Sequence, residues 1–432
     1  MKIYMVSLGC AKNQVDSEMI LGTCKNTMEL CDDPSIADLI LINTCAFIES
    51  ARKEAIDTIL SLADYTNAKL VVCGCLPQRY KDEIINLLPE VDRFITIDEY
   101  SRIPQILDSV LNSDVKKYND FSPLNRVYST PSYMRYVKIS EGCLNRCAFC
   151  AIPLIRGSLK SRTIESITEE VRMHVADGVY EINLISQDTT KYGYDIYNKL
   201  AIVDLLSELV KIDGDFKIRL LYLYPDIVTD ELIDFIKNNP KVYPYFDIPI
   251  QHSEDNLLKA MFRRGNRDYL LDLFKKIRTE IPHAIIRTTL IVGFPFEEKK
   301  DISNLIEFMN EVRFDRLGAF TFCLEENTYA TEYPQTIKES VKQKRYEMVM
   351  EAQAKIALEN NQALIGTILD EVFITGYDEG NFMYTARSYA YAPDDIDGVI
   401  YVAAKYELEI GTRVRCKVLD CDQYSLTAEQ VE

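Results

Sequence analysis

The sequence predicts a multidomain α/β chain: an open, doubly wound parallel sheet, then a partial (β/α) barrel, then a small all-β barrel. Three observations carry this. Apolar runs alternate with amphipathic stretches over about 120 residues, as in a parallel sheet covered on both faces. After a polar break the alternation resumes and continues to about residue 330, giving about six βα units. From Gly366 onward only short strand patterns remain, separated by Gly, Asp and Asn turns. A chain of 432 residues is long enough for two or three such cores.

In the first unit "KIYMVSLG", "ADLILINTC", "AKLVVCGC" and "DRFITID" read as strands. "QVDSEMILGTCK", "ESARKEAIDTILSLADY", "RYKDEIINLLPE" and "IPQILDSVL" read as the helices between and after them. "KKYNDFSPLNRVYSTPS" is polar and carries two prolines, so it reads as a linker. The second unit has strands "RYVKIS", "EINLIS", "KIRLLYLYP", "YFDIPI", "AIIRTTLIVGFP" and "RLGAFTFC". The charged stretch "ESVKQKRYEMVMEAQAKIALENNQALIG" is expected to be one long helix bridging to the third unit. The expected boundaries are 1–120, a linker over 121–132, 133–365 and 366–432.

Composition narrows the chemistry. The net charge of −18 disfavours non-specific binding to a phosphate backbone and favours basic partners. Three histidines make a multi-histidine metal site improbable. No stretch reaches ~18 consecutive apolar residues, so no membrane span is expected. The start "MKIYMVSLGC" lacks the features of a signal peptide, and the expected compartment is the cytoplasm. There, twelve cysteines are metal ligands or buried thiols before they are disulfides. No long dimerisation coiled coil is apparent, so a monomer is expected.

Two cysteine sets stand out. Cys143, Cys147 and Cys150 in "EGCLNRCAFC" follow the first strand of the second unit, and the carboxyl end of a barrel strand is where barrel enzymes hold their chemistry. Three thiolates bind three irons of a four-iron cluster and leave the fourth open; a zinc site would need a further ligand from elsewhere. Cys10, Cys45 and Cys75 end three strands of the first unit, whose carboxyl ends share one edge. That arrangement suits a second cluster. Cys73 competes with Cys75 on spacing alone; Cys75 is preferred because Gly74 lets the chain turn. The other cysteines show no partner pattern.

The C-x-x-x-C-x-x-C loop, with Phe149 before its last cysteine, resembles the signature of the radical S-adenosylmethionine superfamily. The contexts "SLGCAKNQVDSE", "NTCAFI" and "GCLPQRY", followed by such a loop and a small C-terminal barrel of the TRAM kind, resemble the methylthiotransferase family over the whole chain. The resemblance implies two [4Fe–4S] clusters, with Cys10, Cys45 and Cys75 as ligands of the auxiliary one. It implies S-adenosylmethionine as both methyl donor and radical source, its amino and carboxylate groups taking the open iron. It also implies a sulfide or polysulfide sulfur source and an electron donor such as a flavodoxin or ferredoxin.

"EINLISQDTTKYGYD" is similar to the RimO-type branch, which modifies the β-carbon of an aspartate in the twelfth protein of the small ribosomal subunit. The alternative branch acts on an adenosine of transfer RNA. The third unit holds thirteen acidic against five basic residues, including "YDEG", "APDDID" and "YELEI". Such a face repels RNA and attracts a basic ribosomal protein.

Further contacts are expected at strand ends around the barrel mouth. Gln187 and Asp188 would touch substrate or cosubstrate, although Asp188 also suits a helix cap. Arg219 would pair with the cosubstrate carboxylate, or form an inward ion pair. Gln251 with His252 ends "YFDIPIQH"; Gly293 would let the backbone approach the adenine, and Pro295 would fix that turn. Arg156 and Arg162 would balance the charge of the cluster loop, or lie on the surface.

Overall fold

The structure, a computed structural model, describes residues 1–65, 67–112, 117–393 and 396–431. Five parallel strands form the N-terminal sheet, in the spatial order Glu29–Leu30, Lys2–Ser7, Leu39–Thr44, Lys69–Gly74 and Arg93–Ile95. All six residues of Leu39–Thr44 are buried because helices cover both faces. Leu39, Leu41 and Val71 pack with Ile20, Ile103 and Leu107 on one side. Ile40, Ile42 and Val72 pack with Ile59 and Ile84 on the other. The period-2 alternation of a strand divides one continuous apolar run between two cores. The two-residue edge strand Glu29–Leu30 is too short to announce itself in sequence.

The central unit has six parallel strands in chain order: Met134–Lys138, Glu181–Ile185, Lys217–Leu220, Tyr245–Asp247, Ile285–Val292 and Arg316–Thr321. They form two three-stranded sheets, joined where Ile218 pairs with Val242. The result is a partial barrel whose strand carboxyl ends face the N-terminal unit. Helix Glu339–Gln362 buries Val349 and Ile356 in the barrel core. It packs along the barrel and also reaches the third unit, where Asn361 donates to Asp422 O at 2.9 Å, so it bridges as the sequence pattern suggested. The last five strands, Ile368–Asp378 to Ser425–Val431, close into a barrel.

The polar segment read as a linker packs between the first two units as a strap. Tyr118 is buried against the N-terminal core. Arg126 is buried too, and its guanidinium pairs with Glu18 of the N-terminal unit and Glu170 of the central unit. Buried polar stretches look like loops in sequence because the ion partners lie far away along the chain. Asp394 and Asp395 of the acidic stretch "APDDID" lie outside the described residues.

Candidate active site

Pairing sets Ser7 opposite Asn43 and Asn43 opposite Cys73, so three N-terminal strands stop level with one another. The loops that follow carry Cys10, Cys45 and Cys75. Two glycines let them crowd. Gly9 has φ +94°, and a Cβ there would sit 2.8 Å from the Cys45 Cβ. Gly74 has φ +98°, and a Cβ there would sit 2.3 Å from Asn43 Oδ1. Past Gly74 the helix Cys75–Leu87 begins, which swings Cys75 off the strand line. Cys73 stays in the sheet, fully buried in the apolar core.

The second cysteine loop is tied down by backbone bonds. Cys143 N–H donates to Gly157 O at 3.1 Å and Ala148 N–H to Met261 O at 3.0 Å. Ala330 N–H returns a bond to Ala148 O at 2.8 Å. Cys147 Sγ lies 3.7 Å from the Tyr224 hydroxyl, and Asn145 N–H donates to Cys143 Sγ at 3.5 Å.

Cys10, Cys45, Cys75, Cys143, Cys147 and Cys150 all line one cavity of about 500 Å³. It opens between the N-terminal sheet edge and the barrel mouth, and Ala392, Pro393 and Ile396 of the C-terminal barrel complete its wall. Among the described residues, no three His, Cys, Asp or Glu side chains converge on a point suited to one metal ion. Ligands to different irons of a cluster need not converge on one point. Burial pushes the thiols of Cys45 and Cys143 up to about 11, and raises those of Cys75 and Cys150 as well. A metal that takes them as thiolates must release their protons.

Phe149, Arg156, Gln187 and Gln251 also line this cavity. Gln187 Nε2 donates to Glu141 Oε1 at 2.7 Å, and its own Oε1 is buried without a partner. Gln251 holds a left-handed backbone, φ 72°. Arg156 is turned toward the other cysteine set from the one expected. It donates to Cys75 Sγ at 3.4 Å, to Asp16 at 2.9 Å and to Glu141 at 3.0 Å.

Four expected contacts fall outside the cavity lining. Asp188 caps the turn Thr189–Lys191 and accepts from Thr190, Asn145 and Lys191. Arg162 is held by Glu170, Lys138 O and Ser166. Arg219 is fully buried, donating to Glu181 at 3.0 Å and to Tyr389 O at 2.8 Å, which is the inward ion pair. Gly293 has φ +76°, but the space a Cβ would fill is taken by Lys342, whose Cγ would be 2.4 Å away. His252 is likewise structural: its Nδ1 accepts from Ser253 N–H at 3.0 Å and Glu254 N–H at 3.1 Å.

Sequence reasoning missed Lys12, Arg263 and Arg287, all of which line the cavity. Arg287 bridges Asp247 at 3.1 Å and Asp397 of the C-terminal barrel at 3.2 Å. Arg263 stacks on Tyr224 at 3.9 Å, and its Nη1 reaches Cys147 Sγ at 3.9 Å. Lys12 sits over the Tyr222 ring at 3.4 Å. A charged residue inside the apolar run "AIIRTTLIV" was a readable signal for Arg287; nothing in spacing singles out Arg263.

Residues 2–96 match the family described as "Uncharacterized protein family UPF0004", residues 137–309 the radical SAM superfamily, and residues 365–431 the TRAM domain. A protein of Caldicellulosiruptor saccharolyticus described as "Ribosomal protein uS12 methylthiotransferase RimO" is 45% identical over 442 residues, covering 100% of both chains. The chain belongs to the RimO family. A Geobacter sulfurreducens protein of the same description is 44% identical over 99% of this chain and 98% of its own. RimO-family membership makes the chain a radical S-adenosylmethionine methylthiotransferase, with an iron–sulfur cluster and S-adenosylmethionine as its means. The fold extends beyond RimO. It resembles the radical S-adenosylmethionine methyltransferase TsrM of Kitasatospora setae, solved with cobalamin and a [4Fe–4S] cluster, at TM-score 0.56 and 13% identity over 74% of this chain and 72% of that one. No helix among the described residues is long and apolar enough to cross a membrane.

Proposed function

We propose that this chain inserts a methylthio group at the β-carbon of an aspartate in ribosomal protein uS12, using one cluster on each cysteine triad. The observation that carries the reading is the single cavity lined by both triads. Transfer between two centres needs both within reach of one bound substrate, and two separate pockets would not allow it. The choice of substrate rests on the relatives' descriptions and on the acidic surface suited to a basic partner.

The residues present fit the implied groups. Cys143, Cys147 and Cys150 would hold the radical cluster, and Cys10, Cys45 and Cys75 the auxiliary one; soft thiols suit iron–sulfur binding. When bound, the clusters and S-adenosylmethionine supply one-electron and methyl-transfer chemistry, with sulfur from a sulfide or polysulfide source and electrons from a donor such as a flavodoxin or ferredoxin. The chain supplies position, charge and dryness. Arg156 belongs to the central unit and ties the auxiliary triad to it through Cys75 Sγ and Asp16, offsetting negative charge there. Arg263, stacked on Tyr224, does the same beside Cys147. Phe149 and Phe320 supply apolar wall. We take residues 1–120, 133–365 and 366–432 as the three units, with 121–132 as the strap.

The test is mass spectrometry. Protein with reconstituted clusters receives S-adenosylmethionine, sulfide, reductant, ribosomal proteins and bulk transfer RNA. The expected product is uS12 with one methylthio group replacing one hydrogen at an aspartate. Modification of a transfer-RNA adenosine alone would overturn the substrate assignment.

A further inference from the structure

Four cations line the cavity, and two of them have carboxylate partners. Arg156 is paired with Asp16 and Glu141, and Arg287 with Asp247 and Asp397. Lys12 and Arg263 are paired with none: among the described residues, their partners are Ser186 O and Tyr222 for the first and Pro249 O, Cys147 and Tyr224 for the second. Both are buried, with relative exposures of 8%. Buried charges are costly unless paired, so an unpaired one lining a cavity points to an anion that arrives from outside.

The two cations face different chemistry. Arg263 contacts Cys147 and Pro249 O on the radical-triad side. Lys12 lies two residues past Cys10, in the first turn of helix Ala11–Cys24, and reaches across to Ser186 O of the barrel mouth at 3.3 Å. Its ammonium has three donors; Ser186 O takes one and Tyr222 takes another, which leaves one for a ligand. The ring beneath it is held at some cost. Tyr222 has φ 62°, uncommon for a bulky residue, and is fixed by its N–H to Asp247 Oδ2 at 3.0 Å and its O accepting from Thr189 N–H at 3.0 Å. Strain of this kind persists where the surroundings enforce it, and it gathers at ligand-holding positions.

We infer that Lys12 binds the side-chain carboxylate of the target aspartate and thereby positions its β-carbon between the two cysteine triads. The inference rests on the function proposed above. The carboxylate carbon is bonded directly to the β-carbon, so a charge-assisted contact to the carboxylate holds the reacting centre two bonds from the contacted oxygen. The same contact makes the site selective. An asparagine in place of the aspartate presents no charge, and leaves the ammonium buried without its partner.

The experiment is a two-by-two comparison on the reconstituted enzyme: wild type and Lys12→Met, each with uS12 carrying aspartate or asparagine at the modified position. A hydrogen bond to a charged group corresponds to about a 10- to 100-fold effect. Wild type should therefore prefer aspartate by about that factor in kcat/KM. In Lys12→Met the preference should collapse to within about threefold, mostly through KM, while iron content, the electron-spin-resonance signals of both clusters and affinity for S-adenosylmethionine stay as in wild type. The substrate swap leaves the enzyme's own folding untouched, so the lost preference reports recognition. A preference that survives in Lys12→Met overturns the inference. So does a loss of S-adenosylmethionine affinity or of iron with the preference intact, which would assign Lys12 to the cosubstrate carboxylate or to the auxiliary cluster. If wild type modifies neither form of uS12, the proposed function itself fails, and the inference with it.

Discussion

Arg126→Met should loosen the whole active site from a distance, although Arg126 is absent from the cavity lining. Arg126 is completely buried. It donates to Glu18 through Nε at 3.1 Å, and through Nη1 to Glu170 at 2.8 Å and to Tyr136 O at 2.8 Å. Methionine keeps most of the aliphatic volume and removes every donor. Two buried carboxylates are then under-compensated. Glu170 keeps Arg162, and Glu18 keeps Ser129 N–H at 2.8 Å and the Ser129 hydroxyl at 2.7 Å. Breaking a buried pair from one side costs about 3–5 kcal/mol, against a total stability of about 5–15 kcal/mol. With a urea slope of about 2–3 kcal/mol/M, the first unfolding transition should move down by about 1–2 M. The assay is urea unfolding followed by circular dichroism, with limited proteolysis across residues 117–132 alongside it. Cleavage within the strap should appear in the variant under conditions where wild type resists. A midpoint shift equivalent to less than about 1 kcal/mol, with the strap still protected, would refute the reasoning: the ion pairs would then be replaceable, as some buried pairs are.

Three more outcomes follow from the same geometry. Cys75→Ser should lower bound iron by about half, whereas Cys73→Ser, in the dry core, should keep its iron and lose about 1 kcal/mol of stability; iron assay and thermal unfolding separate the two. Glu181 is held down to about 2: burial opposes its charge, and the guanidinium groups of Arg219 and Arg387 outweigh that penalty. A folded-state value below the unfolded ~4.3 means stability that is present above about pH 4.3 and lost as pH falls toward 2, about 3 kcal/mol in all; Arg387→Met should shrink that acid dependence in pH-resolved unfolding. Asp397→Ala should free the Ala392 N–H that donates to its Oδ2 at 2.9 Å, raising hydrogen exchange at that amide about 10- to 100-fold.

The sequence carried the parts of this architecture that depend on periodicity. The order of the main strands and helices in the first two units follows from alternation, the third unit shows in its turn-separated strands, and all six cysteines chosen by spacing and strand-end position line the cavity. What it could not carry is the direction of single polar side chains. Arg219 was expected at the cosubstrate carboxylate or in an inward ion pair, and Arg156 beside the cluster loop or on the surface; the first is spent on Glu181 and the second reaches Cys75 in a different unit. Their partners are 38 and 81 residues away, and no local pattern encodes such pairings. Gly293 was read as room for a ligand because a positive-φ glycine and a crowded glycine look alike in sequence; the room belongs to Lys342. Asp397 closes a wall of the site from the last unit, 110 residues from Arg287, which only the tertiary structure could disclose.

These long-range pairs share one feature that bears on how the site is made. No single unit owns the cavity: Cys75 comes from the first, Cys147 from the second and Ile396 from the third. Beside the apolar packing of Val15, Tyr136 and Phe373 across the three units, each junction holds a largely buried arginine on a carboxylate: Arg126 on Glu18 and Arg156 on Asp16 for the first, Arg387 on Glu181 and Arg287 on Asp397 for the third. Apolar surfaces could hold the units together as firmly, because desolvation cancels much of what a buried ion pair gains. Apolar contacts, however, tolerate sliding by an ångström or more, whereas a guanidinium shared between fixed oxygens does not. The reaction proposed above, which hands a group from one cysteine triad to a carbon beside the other, would be sensitive to displacements of that size. The arginines are therefore better understood as setting the register between units than as adding stability. Conservative Arg→Lys changes at these junctions, which keep the charge and lose the fork, should accordingly reduce methylthio transfer well before they lower the unfolding midpoint.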